Sequence, residues 1–200
     1  DEAAGFVGGV AINKDIVIDG KGHTIDAKNL GRIFSIGEGF TVTLTNATLI
    51  NGKADKGGAI YNDGSLTLSD VKLSDNAADS YGGAVFNNGH LVVGNSVFDA
   101  NDIVNRGSAS VDYGGAAIYN WYDGTLTVSG STFKENGGLY GAGIFVAGSD
   151  FTVSDCVFDK NSAFGKGDMT PNNNNGAAIV VTDTGKDITG IITDSNFTNN

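Results

Sequence analysis

A repeated unit, whose first apolar residue and final asparagine lie ten positions apart, recurs along this chain with invariant internal spacing, and it restricts the fold more than any other feature. Each full copy has two apolar residues two positions apart, a Leu or Phe five residues later, and an Asn three residues after that. Successive copies begin 25, 35 and 25 residues apart. A fixed unit with variable connectors is typical of a solenoid whose coils carry loops at their corners. The full copies begin at Leu66, Leu91, Leu126 and Phe151, with partial copies at Val42 and Ile192.

A second motif, Gly-Gly-Ala-aliphatic-aromatic-Asn, alternates with the first. It occupies residues 57–62 and 82–87, recurs as Gly-Ala-Ala at 115–120, and weakens at 141–145 and 176–180. Apolar residues alternate with period two, as in strands. The 31 glycines against one proline, together with abundant Asn, Asp, Ser and Thr, indicate many turns.

These patterns predict an all-β, single-stranded parallel β-helix of about six coils of about 25 residues each. We expect one domain over residues 1–200, in which residues 1–13 match neither motif and could form an N-terminal cap. The chain stops on the asparagine of a coil, and an open solenoid edge is an aggregation hazard. We therefore expect the natural protein to continue past Asn200.

Coils of a parallel β-helix stack about 4.8 Å apart, so equivalent residues should form columns. The lone cysteine, Cys156, should share an inward column with serines, where it behaves as a small buried hydrophobe. Asparagines at one corner should form a ladder that satisfies turn amides, a structural device rather than a ligand set. Two apolar columns are predicted: Leu68, Val93, Val128, Val153 and Ile192; and Leu73, Phe98, Phe133, Phe158 and Phe197. The predicted ladder is Asn76, Asn101, Asn136, Asn161 and Asn200.

The net charge of −11 argues against a nucleic-acid partner, because phosphate binding needs a basic patch. No apolar run reaches 18 residues, so no membrane insertion is expected within this segment. No cofactor is expected. The calcium-binding nonapeptide Gly-Gly-x-Gly-x-Asp is absent. Isolated Asp and Asn loops could still hold Ca²⁺, although no motif supports it.

The pairing of Gly-Gly-Ala-Ile with Phe-x-x-Asn resembles the repeats of bacterial polymorphic outer-membrane (autotransporter) passengers. The segment 16–26, Ile-Val-Ile-Asp-Gly-Lys-Gly-His-Thr-Ile-Asp, is more similar to adhesin-like surface proteins of methanogenic archaea. The resemblance covers roughly residues 14–200. It implies a right-handed β-helix in an extracellular, cell-surface location, attached to a glycan or protein of another cell. It supplies no catalytic residues.

Pectin-active enzymes also use right-handed β-helices, so the fold alone does not exclude catalysis. A hydrolase needs converging carboxylates, whereas the acidic residues here are scattered. The two arginines, Arg32 and Arg106, suggest no basic cluster, and His23 lies in a turn. We expect no enzyme and no catalytic residues. A carbohydrate-active enzyme (polysaccharide lyase or hydrolase) and a passive stalk stay open as alternatives to the adhesin.

The residues best suited to bind a ligand lie where the regular repeat is interrupted. Two long loops, 102–114 and 162–175, should leave the same corner two coils apart, and loops on a rigid scaffold often carry recognition. A two-residue insertion at Trp121-Tyr122 could stack on a sugar ring or anchor a protein. The alternatives are tolerated insertions and packing of Trp121 against the neighbouring loop. The candidate ligand-binding residues are Trp121, Tyr122, Asp123, Arg106, Tyr113 and Lys166.

Overall fold

The computed structural model describes residues 8–105, 113–163, 176–182, 185 and 187–200, and none of these residues is helical. The regular structure consists of short strands. In chain order they are β1 (Val10–Ile12), β2 (Ile16–Asp19), β3 (Thr24–Asp26), β4 (Phe34–Ile36), β5 (Thr41–Thr45), β6 (Thr48–Ile50), β7 (Lys53–Lys56), β8 (Ile60–Asn62), β9 (Ser65–Ser69), β10 (Lys72–Ser74), β11 (Ala77–Tyr81), β12 (Val85–Asn87), β13 (His90–Gly94), β14 (Val97–Asp99), β15 (Asp102–Ile103), β16 (Ile118–Asn120), β17 (Thr125–Ser129), β18 (Thr132–Lys134), β19 (Ile144–Ala147), β20 (Phe151–Ser154), β21 (Val157–Asp159), β22 (Ile179–Thr182), β23 (Gly190–Thr193) and β24 (Asn196–Thr198).

The strands pair only with strands of neighbouring coils. Sheet 1 is β1-β4-β8-β12-β16-β19-β22, sheet 2 is β2-β5-β9-β13-β17-β20-β23, sheet 3 is β3-β6-β10-β14-β18-β21-β24, and the short sheet 4 is β7-β11-β15. Every strand pair is parallel, for example β12 with β16 and β13 with β17. The predicted parallel β-helix is confirmed.

The described residues form seven coils, where the sequence indicated about six. The segments 16–20 and 24–26, which the sequence indicates as an entry coil, are β2 and β3 of the first coil, and β1 completes it; these strands pair with β5, β6 and β4. Its first strand, Val10–Ile12, lies within the segment 1–13 that was expected as a cap. The repeat motifs do not predict this strand because it carries neither of them.

Both predicted apolar columns are confirmed by the strand register. Val93 lies beside Leu68 and Val128, and Phe133 lies beside Phe98 and Phe158. The three phenylalanines are completely buried and stack in parallel, with ring centroids 4.7–4.8 Å apart. This distance matches the spacing of adjacent strands, so each coil adds one ring to a continuous core.

The serine column closes the corner between sheets 2 and 3. The hydroxyl of Ser96 accepts the amide N–H of Val71, and that of Ser131 accepts the amide N–H of Ser96, both at 3.1 Å. Cys156 takes the same position one coil later, 1% exposed, and its thiol donates to the carbonyl of Ser154. Burial raises the pKa of this thiol, so it stays protonated and behaves as part of the core.

The predicted asparagine ladder runs through the corner after sheet 3. Each side-chain amide donates to the side-chain oxygen of the asparagine in the next coil, at 3.0 Å for Asn76 to Asn101 and for Asn101 to Asn136. It also donates to a carbonyl of the preceding coil. A second ladder, which was not predicted, joins Asn62, Asn87 and Asn120 after sheet 1.

The acidic residues near strand ends have a conformational role. Asp70, Asp155 and Asp194 follow sheet 2 strands with φ of 57°, 53° and 49°. Asp75 takes φ of 56° after a sheet 3 strand. Asn, Asp and Gly tolerate left-handed backbone best, so these residues turn the chain from one sheet to the next while their carboxylates face solvent.

The bases of the two long loops lie in one column, as predicted. Asp102 forms a bridge with Gly137, and Gly137 forms a bridge with Ser162 in the following coil. Both loops therefore leave the same corner two coils apart. Their interiors, 106–112 and 164–175, lie outside the described residues.

Candidate functional site

A column of aromatic rings runs along the outside of sheet 1. In β8, β12 and β16 the aliphatic residue and the asparagine are buried inside the helix, so the aromatic residue between them points outward; in β19 a valine takes the place of the asparagine. The ring centroids are 5.0 Å apart for Tyr61 and Phe86, 5.9 Å for Phe86 and Tyr119, and 4.7 Å for Tyr119 and Phe145. All three pairs stack with nearly parallel planes.

Two flanking rings cover the middle of this column. Tyr81, the last residue of β11, meets Tyr119 edge-on at 4.8 Å. Trp121, just after β16, lies 5.9 Å from Phe86, 5.7 Å from Tyr119 and 5.7 Å from Tyr81. Phe86 and Tyr119 are consequently only 2% and 1% exposed. The accessible rings are the flanking ones and Tyr61 at the end of the column. We call the whole set of rings on this face the aromatic surface: Tyr61, Tyr81, Phe86, Tyr113, Tyr119, Trp121, Tyr122 and Phe145.

A lysine side chain lies among these rings. The Nζ of Lys56, at the end of β7, is 5.1 Å from the ring centre of Tyr81, 5.3 Å from Phe86 and 5.6 Å from Trp121. Ring quadrupoles attract a cation over their faces at these distances. The aromatic surface therefore holds a positive charge close to its exposed rings.

A second cation lies at the end of the column nearest the first coil. The guanidinium of Arg32 is 5.0 Å from the ring centre of Tyr61 and donates to the carbonyls of Lys56 and Gly57 at 2.7 and 3.0 Å. Burial lowers the pKa of Arg32, which still remains charged at neutral pH. Burial also raises the pKa of the Tyr61 phenol, helped by Asp63, so this ring is neutral.

Three of the six predicted ligand-binding residues come together here. Tyr113, at the end of the first long loop, meets Tyr81 edge-on at 5.4 Å, and Tyr81 contacts Trp121. Tyr122 meets Trp121 edge-on at 4.7 Å and is 40% exposed. Trp121 itself is half-buried and rests on the sheet 1 column, whereas the sequence predicted either an exposed turn or packing on a loop.

The other three predicted residues lie apart from these rings or outside the described chain. Asp123 follows Tyr122 and lines a small polar pocket of about 120 Å³. Arg106 and Lys166 lie outside the described residues. The pocket is lined by groups that can accept or exchange hydrogen bonds with hydroxyls: Tyr122, Asp123, Thr125, Ser149, Asp150 and Asp187.

A larger cavity of about 370 Å³ lies at the first coil, beside Ile25, Leu30 and Phe34. Its lining is mainly apolar, and it occupies the side where the first coil has no sheet 4 strand. Asp26, Lys28 and Arg32 also border it, but none of the six predicted site residues does, so we place the candidate site at the aromatic surface.

The sequence contains an overlooked signal for the aromatic surface. The second motif has a Tyr or Phe between two inward positions in four copies. An aromatic residue repeated at an outward position predicts an external column, because outward strand positions are otherwise commonly polar. The position of Lys56 has no comparable signal.

Two further findings concern the described residues only. No helix among them is long and apolar enough to cross a membrane. Within the same residues, no three His, Cys, Asp or Glu side chains form a group suited to a metal ion.

The family model for the right-handed β-helix region matches residues 9–200, which is nearly the whole chain. The chain belongs to the right-handed β-helix family. The match indicates that the coils wind in the right-handed sense, and it agrees with the parallel sheets. No match was found among the curated proteins or among the solved structures.

Proposed function

We propose that this right-handed β-helix is an adhesin-type recognition module, displayed on the outside of a cell, that binds a glycan of another cell through the aromatic surface. The observation that carries the proposal is the gathering of Tyr81, Tyr113, Trp121 and Tyr122 from separate segments onto one face. Tyr and Trp rings have apolar faces and a polar O–H or N–H group at the edge. They suit sugars, which have apolar C–H faces surrounded by hydroxyl groups.

The rigidity of the scaffold supports a binding role. Stacked coils, two asparagine ladders and a continuous ring column fix the strands that carry these residues, so little conformational entropy is lost on binding. Tyr122 is the ring best placed for direct contact. It is 40% exposed and lines the polar pocket together with Asp123, Ser149 and Asp150.

The chain carries its own reporter for this proposal, because Trp121 is its one tryptophan. Candidate glycans found on an array are titrated while the emission of Trp121 is followed, and calorimetry measures the affinity. We expect Tyr122→Ala to weaken binding about tenfold or more, as for truncation of an aromatic anchor. Ile191→Ala, a change at a similarly exposed apolar residue outside the aromatic surface, should leave it unchanged.

The outcomes separate the three functions that the sequence left open. Binding lost in Tyr122→Ala and retained in Ile191→Ala supports the adhesin. No binding to glycans or to whole cells would overturn it and favour a passive stalk. Release of shortened oligosaccharides during the titration would overturn it in favour of a carbohydrate-active enzyme.

A further inference from the structure

The geometry points to the charge of the ligand: we propose that the aromatic surface selects glycans that bear an anionic group, carboxylate or sulfate, and that the ammonium of Lys56 binds this group. The inference rests on the proposed function and goes further, since it assigns a chemical class to the glycan and a residue to its selection. It follows from how Lys56 is held and from what holds it.

The ammonium of Lys56 contacts aromatic rings, and the described residues provide it with no carboxylate partner. Its Nζ lies within 5.6 Å of three ring centres. The ion pairs found within the described chain lie on sheet 3, where Asp99 contacts Lys72 at 3.3 Å and Lys134 at 3.1 Å. Rings attract the charge but accept no strong hydrogen bond. The N–H donors of Lys56 are therefore open to an oxygen atom supplied by a ligand.

The neighbouring cation is already engaged. Arg32 donates to three backbone carbonyls, those of Lys56, Gly57 and Gly8. Its hydrogen bonds hold the backbone of Lys56. Its positive charge lies over the neighbouring ring of Tyr61, where Asp55 and Asp63 oppose it in part. Two cations thus stand on one face of a chain whose net charge is −11. Arg32 positions the strand, and Lys56 supplies the free donor.

The rings also strengthen any ion pair that forms beside them. They exclude water from one side of the ammonium, and a lower local dielectric increases the attraction between opposite charges. The lysine chain is already held against the rings, so binding orders it little further. The Nζ of Lys56 lies 5.1 Å from the ring centre of Tyr81 and 5.6 Å from that of Trp121, so a sugar that contacts either ring brings its substituents close to the ammonium. Ring carboxylates and sulfate esters both provide such a substituent.

The experiment compares three oligosaccharides of equal length: a hexuronic acid oligomer, its neutral carboxyl-reduced derivative, and a sulfated form of that derivative. Affinities are measured by calorimetry and by the emission of Trp121. The variants are Lys56→Gln, Lys56→Arg and Lys53→Gln. Lys53 lies on the same strand and is exposed, so Lys53→Gln changes the net charge equally without touching the rings.

We expect at least one anionic oligomer to bind about tenfold or more tightly than the neutral one, because a charged hydrogen bond is lost with the anion. Lys56→Gln should remove this preference, while Lys56→Arg and Lys53→Gln keep it. Preference for the carboxylate over the sulfate, or the reverse, then identifies the source of the charge. Circular dichroism of each variant checks that the β-helix is folded.

Three outcomes overturn the inference, and they can be told apart. Equal affinity for the neutral and anionic oligomers, with Lys56→Gln unchanged, rejects selection by charge but leaves glycan binding intact. Equal losses in Lys56→Gln and Lys53→Gln assign the preference to long-range charge and also reject it. Absence of binding to all three oligomers and to the wider array rejects the proposed function together with the inference.

Discussion

Replacing Asn101 by leucine tests the asparagine ladder at its most connected position. Its side-chain amide donates to the carbonyl of Leu73 and to the side-chain oxygen of Asn136, both at 3.0 Å. Its oxygen accepts the backbone and side-chain N–H groups of Asn76 at 3.1 and 3.0 Å. Leucine is close to asparagine in size, so the change removes four hydrogen bonds and leaves little empty space.

The substitution leaves two buried groups without partners: the backbone N–H of Asn76 and one of its amide protons. The carbonyl of Leu73 lies within β10, which is paired with β14, so it stays in the sheet. Asn136 keeps the backbone N–H of residue 101. Each unsatisfied group costs about 1–3 kcal/mol, or about 2–6 kcal/mol together. Burial of the leucine returns about 1.5–3 kcal/mol, so the midpoints of the two ranges leave a net loss of about 2 kcal/mol. That is a substantial part of the 5–15 kcal/mol typical of a whole domain.

Urea denaturation followed by circular dichroism measures the free energy of unfolding, and hydrogen exchange reports the amide of residue 76 directly. Asn200→Leu is the matched control, since Asn200 makes the same contacts to Asn161 and Phe158 at an exposed position. Water can replace its hydrogen bonds there, so the loss should be below about 1.5 kcal/mol. A loss below about 1 kcal/mol for Asn101→Leu, or equal losses in both variants, would refute this account of the ladder.

Substitutions at glycine, cysteine and aspartate positions test other parts of the coil geometry. Gly83→Ala should destabilise the fold by about 1–3 kcal/mol or more, because a Cβ there would lie within 2.5 Å of two backbone carbonyl oxygens. Gly94→Ala, which meets nothing within 4 Å, should change the unfolding free energy by less than about 0.5 kcal/mol, and equal effects would contradict the packing argument. In urea denaturation, Cys156→Ser should lower the free energy of unfolding by less than about 1.5 kcal/mol, and Cys156→Ala should lower it by more. Alanine cannot accept the hydrogen bond from the Ser131 amide, whereas serine can. Hydrogen bonds from Asn51 and the Lys28 amide lower the pKa of Asp26 in the folded protein. The stability that Asp26 contributes is therefore complete above its pKa in the unfolded chain and is lost as the pH falls through its pKa in the folded protein. An NMR titration that gave an ordinary or raised pKa for Asp26 would contradict this.

The coils could be predicted in register because stacking maps equal positions of each repeat onto one another. Leu73 and Phe98 are 25 residues apart in sequence, and Phe98 and Phe133 are 35 apart, yet all three share one column. A corner loop absorbs the difference in length without disturbing the register. The first strand escaped prediction because Val10–Ile12 pairs through its backbone and carries no motif.

The candidate site was only partly accessible from the sequence. Trp121 and Tyr122 stood out because they interrupt the period, and Tyr113 because it ends a long loop. Tyr81 and Lys56 did not stand out, since each precedes a glycine motif and resembles an ordinary connector residue. The structure brings them to Trp121 because sheet 4 adjoins sheet 1 at the glycine corner, which places their side chains over the same outward column.

The β-helix, its inward columns and its asparagine ladder could all be predicted before any coordinates were known. They follow from alternation within a strand and from a spacing that repeats without error, both of which are local properties. By contrast, the folded arrangement was needed to establish that Phe86 and Tyr119 are covered while Tyr122 is exposed, and that an ammonium lies among the rings. Exposure and charge placement depend on which side chains of neighbouring coils lie across a given residue, and spacing within one coil does not specify those neighbours.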